Sequence, residues 1–120
     1  MPLDRNVFIT ESNAVEIAGA QGAGNIYSLL SSAGNITNAN TTATDIITAP
    51  NVILQANTGS IGTIATARIM INANNLTANA PGANQTVFIA ETNTVEIAAP
   101  SGTGTGGTFN LLAGSDITNT

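Results

Sequence analysis

Two pairs of carboxylates are the side chains best placed to do chemistry. Glu11 and Glu16 lie in VFITESNAVEIA, residues 7–18, and Glu91 and Glu96 hold the same places in VFIAETNTVEIA, residues 87–98. Two carboxyl groups at a suitable separation can share acid and base work, as in glycoside hydrolysis. The residues around them argue for a plainer role. In Val15-Glu16-Ile17 the flanks are apolar, so on a strand Glu16 points away from the core. Its expected counterparts elsewhere are Thr37, Ile53, Thr77 and Thr118, a mixed solvated face, and Glu11 falls at a turn.

Other reactive groups are scarce. The chain has no Cys, His or Lys, and its bases are Arg5 and Arg68. With neither Lys nor His and with two isolated Arg, the chain offers no basic side chain to abstract a proton near neutral pH. Asp4, Asp45 and Asp116 are far apart in sequence, and the glycines of 102–107 are followed by neither a Lys nor a helix signal. The expectation is a protein that is not an enzyme and holds no cofactor or metal. A net charge of −5 with two basic residues argues against nucleic acid. No apolar run approaches the ~18 residues of a membrane helix, so membrane insertion is not expected. The opening MPLDRN lacks the basic and apolar regions of a secretory signal.

What must position these residues is legible in the spacing. Hydrophobic residues make up 42 % of the chain but aromatics 3 %, with Asn, Thr and Gly filling the remainder. Such a composition suits short strands and tight turns. In-out-in triplets begin at Val7, Tyr27, Ile46, Ile69, Val87 and Phe109. Each is followed by a second short strand, starting at Val15, Ile36, Val52, Leu76, Val95 and Ile117. Asn13, Asn35, Asn51, Asn75, Asn93 and Asp116 mark the turns before those second strands, and stacked Asn side chains can bond from layer to layer. A chain turning once every ~20 residues builds a parallel β-solenoid. The reading is all-β, about six coils in a single segment over 1–120. It carries a long repeat over 7–86 and a partial second copy over 87–120.

The stretch NTGSIGTIATARIMINANNLTANA, residues 57–80, resembles the haemagglutination-type repeats of secreted bacterial exoproteins, the filamentous haemagglutinin-like group. Gly59-Ser60-Ile61-Gly62 matches that family's turn, and Ile69-Met70-Ile71-Asn72-Ala73 with Asn75-Leu76-Thr77 matches its rhythm. The resemblance implies a right-handed β-helix forming the rod of an exported adhesin, toxin stalk or surface filament. It also implies an extracellular or cell-surface location and an outer-membrane export partner. The chain starts and stops inside its long repeat, which suggests a piece of a larger array.

Two contact features complete the expectation. The middle residues of the first-strand triplets include Phe8, Ile47, Met70 and Phe88, which would form one outward apolar stripe for lateral contacts. No capping helix is legible at either end, so copies are expected to stack end to end. The function expected is a structural filament or stalk segment. The alternative is an adhesin module binding a host or surface glycan or receptor through its apolar or Thr-bearing face.

Overall fold

The structure, a computed structural model, describes residues 5–39 and 45–119. Alternating V-x-I segments form strands wherever Asn, Gly or Pro lets the chain turn between them. In chain order these are β1 (Val7–Glu11), β2 (Val15–Ile17), β3 (Gln21–Gly22), β4 (Ile26–Ser31), β5 (Ile36–Asn38), β6 (Ile46–Thr48) and β7 (Asn51–Ala56). There follow β8 (Ile69–Asn72), β9 (Asn75–Ala80), β10 (Thr86–Glu91), β11 (Val95–Ile97), β12 (Gly102–Thr103), β13 (Thr108–Ala113) and β14 (Ile117–Thr118). The described residues contain no helix.

The strand pairings are parallel. One face runs β1-β4-β7-β9-β11-β14, with β12 beside β9. The other runs β3-β6-β8-β10-β13, and the pair β2-β5 joins it through Ile61, which bridges Ile36 and Val87. Strands that pair in parallel with strands one turn away are the signature of a parallel β-solenoid, as the spacing anticipates. Along the first face Val7, Tyr27, Val52, Leu76 and Ile97 lie at three successive partner positions and a fourth. The intervals are 20, 25, 24 and 21 residues, so the chain makes about five turns rather than six. The turns are longer than ~20 residues because they carry extra segments, such as the excursion 63–67 between Gly62 and Arg68.

Inward positions alternate cleanly with outward ones in the middle strands β4, β7, β9 and β10. Leu29 and Leu54 stack on the first face; Ile36, Ile61 and Val87 stack on the second, and so do Ile69 and Ile89. All are buried, and each contributes about 1.5–3 kcal/mol through the apolar surface it removes from water. Since no turn closes a core alone, stability comes from stacking neighbours.

Tyr27 occupies an inward place in this core, with its hydroxyl donating to Gln21 Oε1 at 3.3 Å. Burial raises its pKa above the ordinary 10.0, because the phenolate would lose its hydration. The folded state therefore holds the proton more tightly than the unfolded one. Tyr27 contributes no pH dependence below the unfolded value, and stability falls as pH rises beyond it toward the folded value. As the chain's single tyrosine, it can be followed by phenol absorbance. The expected titration is higher in native than in urea-unfolded protein; coincident curves would contradict the burial.

The two copies of the twelve-residue phrase do not occupy equivalent faces. VFITE is β1 on the first face, whereas VFIAE is β10 on the second. The local pairing is nevertheless preserved. Val7, Phe8 and Ile9 lie against Tyr27, Ser28 and Leu29, and Val87, Phe88 and Ile89 lie against Phe109, Asn110 and Leu111. From Val7, three turns lead to Leu76, and eleven further residues carry the chain to Val87 on the other face. The recurrence therefore spans about three and a half turns, not the whole number implied by stacking all first-strand triplets in one column.

Candidate functional site

The expected turn ladder divides among several corners. Asn75 Nδ2 donates to Asn51 Oδ1 at 2.9 Å, and Asn51 Nδ2 donates to Asn25 Oδ1 at 3.0 Å. This ladder takes in Asn25, which the turn pattern missed because it precedes a first strand and not a second. Asn35 serves another corner, its Oδ1 accepting from the Ser60 N–H at 2.8 Å. Asn93 sits at a third, its Nδ2 donating to Thr92 Oγ1 and Asn72 Oδ1. The Asn13 and Asp116 carbonyls accept from Ser31 Oγ and the Val95 N–H. Replacing Asn51 by Ala removes a donor and an acceptor from the ladder. The expected cost is about 1–2 kcal/mol in a urea melt, against a much smaller loss for Asn13→Ala at the exposed end.

Phe8, Ile47, Met70 and Phe88 do not form one outward stripe. Ile47 is 0 % exposed, because β6 pairs it with Ile71 in the core and turns Ile46 outward. Met70 shares its outward column with Ile46 and Ala90. Phe8 lies on the first face beside Ser28, and Phe88 on the second beside Asn110. The shift has a physical cause. A V-x-I triplet satisfies either face, so alternation alone does not fix which strands share a column.

Phe88 is also not a free surface ring. The Arg68 guanidinium lies 5.6 Å from its centroid, a cation–π contact. Arg68 Nη1 reaches the Ile89 and Asn110 carbonyls at 3.3 Å each. Beneath Phe88 the backbone approaches so closely that a Cβ on Gly62 would stand 2.5 Å from the Phe88 carbonyl oxygen. The outward phenylalanine thus roofs a glycine and carries an arginine. Phe8, its echo on the first turn, is 69 % exposed.

The paired glutamates separate in the same way. Glu16 is exposed, as expected of the middle residue of its strand. Glu91 is 4 % exposed, and its carboxylate fastens two turns together. Oε2 accepts from the Ala73 N–H at 2.8 Å, and Oε1 accepts from the Asn93 N–H at 3.1 Å. Glu11 Oε1 makes the corresponding local bond to the Asn13 N–H at 3.2 Å. The pattern Glu-(Ser/Thr)-Asn after an apolar strand is a turn device, a reading its position after V-x-I could have suggested. Among the described residues no group of three or more acidic side chains gathers where it could hold a metal; Asp4 lies outside them.

What the geometry does concentrate is unsatisfied surface at the two ends. Ile9 and Leu29 share an inward column, yet Ile9 is 38 % exposed and Leu29 2 %. Ile117 and Val95 share another, with Ile117 exposed and Val95 buried. At the first turn the open core forms a cleft of about 190 Å³ between Ile9, Val15, Ile17, Tyr27 and Leu29. A shallower recess of about 130 Å³ lies at the last turn beside Ile97, Ser101 and Asn119. The strands β1 and β2 at one end, and β13 and β14 at the other, each have a neighbour on one side among the described residues. These are edges with backbone donors and acceptors directed along the axis.

No family model, curated protein or solved structure matches the chain. The likeness of residues 57–80 to haemagglutination-type repeats rests on those residues alone.

Proposed function

We propose that this chain is a structural, non-enzymatic segment of an extracellular bacterial filament or adhesin stalk, whose turns continue end to end into a rod. The supporting observation is the pair of open ends, each combining parallel strand edges that have no partner among the described residues with exposed core side chains. Burying those edges against another solenoid turn gains what every interior turn already has, backbone pairing and apolar contact. The mechanism is mechanical. Continuous ladders and stacked Val, Ile and Leu resist bending and hold an attached part away from a surface. The location and the filament role follow the resemblance of residues 57–80.

Light scattering across a concentration series tests the assembly. Copies carrying a net charge of −5 repel one another, so ~0.15 M salt favours association over low salt by screening. Mass that grows with concentration and with salt is the expected result. A fixed monomer mass under both conditions would refute it.

A further inference from the structure

The chain displays within itself the register that a joint between copies would take. The inference rests on the end-to-end reading above and specifies its geometry. The lower edge of the phrase 87–98 is covered in the structure. Ile89 and Glu91 of β10 lie on Ile69 and Ile71, and Glu96 and Ile97 of β11 lie on Asn75 and Leu76. The same phrase at 7–18 has no described strand on that edge.

At the other end, the last turn presents the positions the phrase requires. Leu111 and Ala113 continue the columns of Ile69-Ile89 and Ile71-Glu91, and Thr118 continues that of Asn75-Glu96. Ser115 follows Ala113 as Ala73, whose backbone N–H reaches Glu91, follows Ile71; the Ser115 N–H donates to the Asn93 carbonyl at 3.3 Å, and its exposed hydroxyl is the donor left beside that place. Strand lengths agree with this match. The long free edge at the first turn is β1, with five residues on the first face. At the last turn the long edge is β13, with six residues on the second face, while β14 on the first face has two.

We infer that a second copy of this chain stacks on the first after a half-turn about the solenoid axis, with its β1 on β13 and its β2 on β14. Val7, Ile9 and Glu11 then lie over Phe109, Leu111 and Ala113, while Val15 lies over Ile117. The half-turn is the phase by which the phrase shifts between its own two copies, so the joint continues an interface already present within each chain. A head-to-tail contact of this kind does not close and extends as a filament.

Disulfide trapping tests the register directly, because the chain has no cysteine. In the half-turn joint Phe8 lies over Asn110; in a joint without rotation Glu16 takes that place, since Glu16, Thr37, Gly62, Phe88 and Asn110 follow one column. All three test positions are exposed. Neighbouring parallel strands bring Cα atoms to about 4.8 Å, within disulfide range. Under mild oxidation the double variant Phe8→Cys with Asn110→Cys should give a ladder of linked oligomers. Glu16→Cys with Asn110→Cys should give no more than the dimer seen for Asn110→Cys alone, with circular dichroism confirming that each variant folds. The reverse pattern overturns the half-turn and leaves end-to-end assembly standing. Growth in light scattering with neither ladder overturns this joint as well, and absence of both growth and ladders removes the assembly reading together with it.

Discussion

Gly62→Val lowers the stability of the solenoid by about 3 kcal/mol or more. Gly62 has φ of +72°, in the left-handed region that a β-branched residue adopts at high cost. Strain is half of the effect. The other half is the turn above, since a Cβ here meets the Phe88 carbonyl oxygen at 2.5 Å and the Phe88 Cβ at 3.2 Å. Those atoms belong to a strand whose N–H donates to the Ile61 carbonyl at 2.7 Å, so relief requires opening a ladder bond. Gly19 provides the control. Its φ is +79°, but nothing lies within 4 Å of a Cβ built there. Gly19→Ala should therefore cost about 1 kcal/mol, from strain without the clash. Urea melts followed by far-ultraviolet circular dichroism give both numbers, and equal losses would show that turn-to-turn contact at Gly62 is unimportant.

Glu91→Ala costs about 2–4 kcal/mol, whereas Glu11→Ala costs under about 1 kcal/mol, although the two residues hold the same place in the repeated phrase. Losing the Glu91 carboxylate leaves the buried Ala73 N–H without its acceptor, and the Asn93 N–H loses its bond as well. An unsatisfied buried donor forfeits the whole of its hydration, which exceeds the net worth of a hydrogen bond. Glu11 makes the local bond to Asn13 at the exposed end. Glu91→Gln retains one acceptor oxygen and should recover at least half of the loss. Similar costs for Glu91→Ala and Glu11→Ala would mean that the carboxylate is a local turn cap and no link between turns.

Twelve of the fourteen strands among the described residues were legible in the sequence from short apolar alternations set off by turn residues, whereas β3 (Gln21–Gly22) and β12 (Gly102–Thr103) carry no apolar residue and were not. The twelve expected strand starts all fall within strands, from Val7 in β1 to Ile117 in β14. Parallel stacking was legible too, since the echo and the marked turns leave little other use for strands so short. The columns were not. Both faces ask for the same alternation, so Val7 and Val87 look equivalent while lying on opposite faces, and Ile46-Ile47-Thr48 reads in either phase. Pairing sets the phase: Ile47 goes inward because it stacks on Ile71. Glu91 was hidden for a similar reason, because the bond that sets it apart from Glu11 goes to Ala73 in another turn. Phe88 could not be read as covered from its own triplet either, since Gly62 and Arg68 lie about a coil away in sequence.

Electron microscopy of the purified chain, concentrated in ~0.15 M salt, tests the central claim most directly, namely that the open ends are joints. In the half-turn joint the path from Val7 to Val87, on to Phe109 and then to the Val7 of the next copy makes about five and a half turns, so at about 4.8 Å each the axial rise is roughly 26 Å per copy. The account predicts unbranched rods with that repeat and a rotation near half a turn between successive copies. Uniform single particles at every concentration would contradict it.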